Sequence, residues 1–112
     1  NVHGLLKKDR FKLINEAKNN EKVGVFAIVV ECVTKLAAKE ITQSLKIPTI
    51  GIGASIHCDG QILVTDDMLG LSGFYPRFVK KFVKLNNIIE KGVQKYNKAV
   101  LTKKFPSNKN TF

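Results

Sequence analysis

Two apolar runs constrain this chain more than any other feature. Val23–Val30 is almost unbroken in apolar residues and stops on a carboxylate, Glu31. Ile47–Ile52 repeats the pattern and dissolves into Gly53, Ala54 and Ser55. Runs this short, rich in Val and Ile and bounded by Gly and Pro, suit strands buried on both faces. Between them, Lys35–Leu45 has the spacing of an amphipathic helix. Strand, helix and strand in that order make a βαβ unit with parallel strands. Parallel α/β architectures carry their chemistry at the carboxyl ends of the strands. Glu31 stands at one such end and the Gly-rich turn at the other, so function is sought there.

The remaining segments fall into place around this unit. Asp9 is a candidate N-cap, and Phe11, Leu13, Ile14 and Ala17 share one face, which predicts a helix over Lys8–Lys22. A helix ahead of the first strand places the opening of the chain inside an α/β repeat. Thr34 can cap the next helix, with Leu36, Ala37, Ile41 and Leu45 as its inner face. Pro48 sits where the second strand begins and a missing amide is best tolerated. Gln61–Thr65 reads as a third short strand or a helical turn. From Pro76, an apolar stripe of Phe78, Val79, Phe82 and Val83 predicts helix and core. Asn86 and Asn87 interrupt it, and Ile88, Ile89, Val93, Tyr96, Val100 and Leu101 resume at helical spacing to about Lys104. The expected domain is thus one unit over 1–112, with basic C-terminal helices over about 76–104 and a polar tail over 105–112. Three strands cannot close a barrel, so the chain reads as part of a larger α/β fold.

Composition excludes some functions. The chain has 112 residues and 44% apolar content, ordinary for one small globular domain. No run is long and apolar enough for a membrane span. No signal peptide is read in the opening residues, because no apolar segment follows their basic groups. The two cysteines, Cys32 and Cys58, are expected to be free thiols in a reducing compartment, which places the protein in the cytoplasm. Net charge is +10, and from Pro76 onward ten basic residues face one acid, Glu90. The residues of an RNA-binding module are missing, so a lysine-decorated solvent face is expected rather than a nucleic-acid site.

Candidate chemistry is sparse. Glu31, directly after the first apolar run, is either a site residue at a strand end, suited to general base work, or a capping acid at the surface. His57, Cys58 and Asp59 are adjacent, and adjacent side chains diverge too much for a usual zinc site, so they are read as the mouth of a loop. Asp66 and Asp67 could hold Mg²⁺ through waters, but such a pair more often caps the next turn. Gly51-Ile52-Gly53 lacks the further glycine of a dinucleotide fingerprint. No metal ligand is assigned within the chain.

Four segments carry a family resemblance: Ala27–Val33 (AIVVECV), Ile47–Ala54 (IPTIGIGA), His57–Val64 (HCDGQILV) and Asp67–Leu71 (DMLGL). In order and spacing they closely resemble ketopantoate hydroxymethyltransferase, and Pro76–Val79 and Phe105-Pro106 resemble its C-terminal region. The resemblance implies strands six to eight and the terminal helices of a (β/α)₈ TIM barrel with parallel strands. It implies transfer of a one-carbon unit from 5,10-methylenetetrahydrofolate to 3-methyl-2-oxobutanoate, forming ketopantoate on the route to pantothenate and coenzyme A. It further implies Glu31 as the proton acceptor, Mg²⁺ held by residues of earlier strands, and a homo-oligomer. A chain of these 112 residues alone is expected to be inactive. The alternative is a truncated remnant whose basic helices serve as an interaction module. Two positions depart from the family pattern: Thr34 replaces its usual Pro and Ser55 its usual Gly. Ser55 is expected to strain its loop wherever that position requires positive φ.

Overall fold

The structure, a computed structural model, describes all 112 residues. In chain order they form α1 (Lys7–Lys22), β1 (Ile28–Val30), α2 (Lys35–Ser44), β2 (Thr49–Gly51), β3 (Gly60–Gln61), α3 (Thr65–Leu69) and α4 (Leu85–Leu101). The chain divides into two compact units. The first holds Asn1–Val64 and Pro76–Val79, and the second Thr65–Tyr75 and Lys80–Phe112.

The first unit is the α/β part. Its three strands make one sheet in the order β1-β2-β3, all parallel. Ile28 pairs with Thr49, Val30 with Gly51 and Gly51 in turn with Gln61. The strands are shorter than the apolar runs because the flanking residues have other partners. At the first run, Val23–Val25 donate their amides back to α1 carbonyls, and Gly24 adopts φ +94°. That conformation closes the helix and is open chiefly to glycine.

α1 packs on α2, and Arg10 pairs with Glu40 across them at 3.0 Å. Ala17 from α1, Ala38 and Ile41 from α2, Val30 from β1 and Cys58 form the core cluster. Strand alternation sends Val30 into that core and leaves Val29 on the opposite face, 55% exposed. Glu21 Oε1 accepts from the amides of Lys46 and Ile47 at 2.6 and 3.0 Å, fixing the approach to β2. Two helix details differ from expectation. Leu6, not Asp9, precedes α1, and Asp9 lies in its first turn, where a carboxylate suits the helix dipole. Leu36 is exposed, because at 3.6 residues per turn it sits roughly 140° around α2 from Ile41. Thr34 does cap α2: its Oγ1 accepts from the Ala37 amide at 3.2 Å.

β2 and β3 are parallel yet no helix joins them. The eight intervening residues form a compact loop, pinned at its end by Asp59. The Asp59 carboxylate accepts from the Thr49 amide at 2.8 Å and its hydroxyl at 3.3 Å. Thr49 is fully buried and also meets Thr42 Oγ1 at 2.8 Å.

In the second unit, α4 carries the late apolar stripe, but none of its residues is buried. Residues 76–84 are not helical, contrary to the periodicity. Their backbone groups bond elsewhere: the Val79 amide to the Pro76 carbonyl, and the Phe82 amide to the Met68 carbonyl. Phe82 is 67% exposed, so it is not core. Asn86 and Asn87 lie within α4 and do not interrupt it. The predicted third strand over Gln61–Thr65 shortens to Gly60–Gln61, and α3 begins at Thr65 with Asp66 and Asp67 in its first turn. No helix of the chain is long and apolar enough to cross a membrane.

Candidate active site

Glu31 follows directly on β1 and ends the first apolar run at the carboxyl edge of the sheet. It is exposed and takes part in neither of the chain's ion pairs. A carboxylate without a partner at a strand end can accept a proton from a bound ligand. It lines a small cleft of ≈ 200 Å³ along the free edge of β1, beside Val29 and with Glu16 and Asn20 of α1.

The backbone turns sharply at the next residue. Cys32 has φ +53°, a left-handed conformation that is uncommon outside glycine. Its carbonyl accepts from the His3 amide at 2.8 Å, and the Thr34 amide donates to the His3 carbonyl at 2.9 Å. His3 therefore bridges Val33 in parallel, beyond the end of β1. Thr34 Oγ1 also donates to the Gly4 carbonyl at 3.1 Å. Gly4 is buried at φ +80°, and a Cβ there would lie 2.6 Å from Ala37 Cβ. The His3-Gly4 pair thus clamps the turn that follows Glu31. Thr34 has φ −66°, a value proline can also take, yet its amide and hydroxyl are both in use.

A larger cleft of ≈ 680 Å³ opens past Cys32. The ends of β1 and β2 border it through Val33 and Ile52, and Phe78 forms another wall. Gly53 touches Phe78 so closely that a Cβ would lie 2.9 Å from the Phe78 Cβ and 3.0 Å from its carbonyl oxygen. Gln61 holds this glycine loop: its Nε2 donates to the Ser55 carbonyl at 2.7 Å, and its Oε1 accepts from the Gly53 amide at 3.3 Å. Gly51 makes room for that side chain, since a Cβ there would lie 2.9 Å from Gln61 Nε2. Ser55 is buried but not at positive φ, so the expected strain is absent. Its Oγ accepts from the His57 amide instead.

The other candidates are structural or scattered. His57 is exposed, Cys58 is buried in the core, and the Asp59 carboxylate is committed to Thr49. Asp67 accepts from Ser72. Both cysteines are free thiols, Cys32 exposed and Cys58 buried. Mg²⁺ requires a near-octahedral set of oxygen donors, and no three His, Cys, Asp or Glu side chains converge here. The residues present build no all-protein magnesium cage. Gln61 and Thr49 were invisible as site-shaping residues from sequence, whereas His3-Gly4 resembles the short motif after the family's fifth strand. A polar residue inside an otherwise apolar run was the only trace that Thr49 left, and Gln61, at the head of Ile62–Val64, left none.

The profile of the family described as ketopantoate hydroxymethyltransferase matches residues 1–108. The chain belongs to that family. It is 49% identical over 112 residues to a 3-methyl-2-oxobutanoate hydroxymethyltransferase of Clostridium botulinum strain Loch Maree, covering 99% of this chain and 41% of the relative. It is 47% identical over 104 residues to that of Pelagibacter ubique, covering 93% and 40%. It is 52% identical over 102 residues to that of Rhizobium rhizogenes, covering 90% and 37%. The chain spans about 40% of the length of the curated relatives it matches. Within the family, Glu31, the glycine loop and the Pro76–Phe78 segment all lie in the matched stretch.

Proposed function

We propose that these residues form part of a hydroxymethyltransferase. In this reading the enzyme transfers a one-carbon unit from 5,10-methylenetetrahydrofolate to 3-methyl-2-oxobutanoate, giving ketopantoate for pantothenate synthesis. Glu31 is the general base. It takes the proton from C3 of the keto acid, and the resulting enolate carbon bonds to the donor's methylene carbon. Both bonds from that carbon to folate nitrogens are broken, water supplies the hydroxyl, and tetrahydrofolate leaves. The observation that carries this reading is the unpaired carboxylate at the carboxyl end of β1, in a chain that belongs to the family.

The sheet supports a partial (β/α)₈ barrel. Its strands are parallel and in sequential order, one face is covered by helices, and Val29 faces away from them. A closed barrel would cover that second face with inward side chains. The ligands for Mg²⁺ are proposed to lie on strands outside these residues, since the donors here do not converge. A cytoplasmic homo-oligomer completes the proposal.

The test is deuterium exchange at C3 of 3-methyl-2-oxobutanoate in the intact protein, followed by NMR. Exchange is expected in the wild type, and Glu31→Gln is expected to lower its rate at least ~100-fold, in the range of a lost general base. Exchange at the wild-type rate in Glu31→Gln would remove Glu31 as the base.

A further inference from the structure

Cys32, next to Glu31, is one of two residues other than glycine at positive φ. A side chain is strained there and stays only where its surroundings hold it. His3 holds both flanks of Cys32: its amide donates to the Cys32 carbonyl at 2.8 Å, and its carbonyl accepts from the Thr34 amide at 2.9 Å. Thr34 then fastens that segment to α2. Its Oγ1 donates to the Gly4 carbonyl at 3.1 Å and accepts from the Ala37 amide at 3.2 Å. One hydroxyl thus ties the His3-Gly4 segment to the first turn of a helix. The layer beneath is firm: Ala37 is fully buried, α1 packs on α2, and Arg10 joins them through Glu40 at 3.0 Å. Glu31 has no such support of its own. It is exposed and joins no ion pair, so the backbone behind it sets the direction of its carboxylate.

We propose that Thr34 is a positioning residue for Glu31: its hydroxyl holds the strained turn at Cys32 and so keeps the carboxylate aimed at the proton it removes. The inference rests on the proposed function, in which Glu31 is the base. Thr34 stands where the family usually has Pro. Proline fixes φ through its ring, whereas this chain holds Thr34 at φ −66° with hydrogen bonds. A group displaced by about 1 Å from its reacting partner can cost roughly 100-fold in rate.

Deuterium exchange at C3 of 3-methyl-2-oxobutanoate in the intact protein is the test, with kcat and KM for exchange measured separately. Thr34→Val keeps the branching of the side chain and removes the hydroxyl. It is expected to lower kcat at least ~10-fold and to leave KM within about twofold. Thr34→Ala, which also lacks the hydroxyl, should show the same loss. Thr34→Ser keeps the hydroxyl and should restore most of the rate. On the Glu31→Gln background Thr34→Val should cost nothing further, because two residues that act as one unit are not additive. Gly24→Ala is the control for stability: it should lower the urea midpoint and leave exchange unchanged. A wild-type kcat in both Thr34→Val and Thr34→Ala would overturn the inference and leave Glu31 as the base. An equal loss on both backgrounds, or a loss that Ser does not restore, would overturn it too, because either marks a structural role alone. Exchange at the wild-type rate in Glu31→Gln removes the base itself, and the inference falls with it. That single variant tells the two failures apart, and circular dichroism of each variant confirms the fold.

Discussion

Gly4 and Gly24 separate two costs that glycine replacement usually combines. Both have positive φ, +80° and +94°. At Gly24 a Cβ would meet nothing within 4 Å, so Gly24→Ala carries only the backbone penalty, about 1–2 kcal/mol. At Gly4 the same Cβ would lie 2.6 Å from Ala37 Cβ in a buried position. Overpacking adds about 1–3 kcal/mol. Gly4→Ala is therefore expected to destabilise the chain more than Gly24→Ala, by a total of about 2–5 kcal/mol. Urea unfolding of the two variants side by side checks this. Equal losses would mean that the clamp at His3-Gly4 yields without cost. Because that clamp holds Cys32 and Thr34, its loosening also releases the turn behind Glu31.

Helix α4 tests propensity with little interference from packing. Gly92 lies in its interior, a Cβ there meets nothing within 4 Å, and its φ is not in the left-handed region. Gly92→Ala should stabilise the helix by about 1 kcal/mol. Amide exchange within Leu85–Leu101 is expected to slow accordingly, and unchanged exchange would show that this helix is limited by something other than its glycine. The same element shows what could be read in advance. The 3.6-residue spacing located α1, α2 and α4 to within a few residues, and Val/Ile runs located β1 and β2, because both patterns are repeated many times. The Phe78–Val83 stripe had the same spacing but no helix. Its amides are satisfied by carbonyls such as Pro76 and Met68, and no periodicity records that. Strand ends were misplaced where a helix terminus borrowed apolar residues, as at Val23–Val25. Glu31 was legible because a charge after an apolar run is conspicuous. The Thr42–Thr49–Asp59 network and the Gln61 clamp join residues six to ten positions apart across element boundaries, and no periodicity marks them.

Across the molecule, burial is concentrated in the α/β unit and made of small side chains. The buried apolar residues are Ala17, Val30, Ala37, Ala38, Ile41 and Cys58, with no Leu or Phe among them. Ile89, Val93 and Tyr96 on α4 remain 49%, 53% and 57% exposed. A helix of this length without a packed face is marginal in water. Such segments open at the low end of the stability range, while packed helices open only with the fold. Hydrogen exchange of the 112-residue chain at low micromolar concentration should therefore protect α2 most, with Ala37, Ala38 and Ile41 buried. Amides of α4 should exchange at least ~100-fold faster, a difference of about 3 kcal/mol in opening free energy. Equal protection in both helices would mean that the α4 stripe is covered in solution. Repeating the measurement at higher concentration would then identify the cover: protection that rises with concentration comes from a second copy, and the homo-oligomer proposed above would use that face.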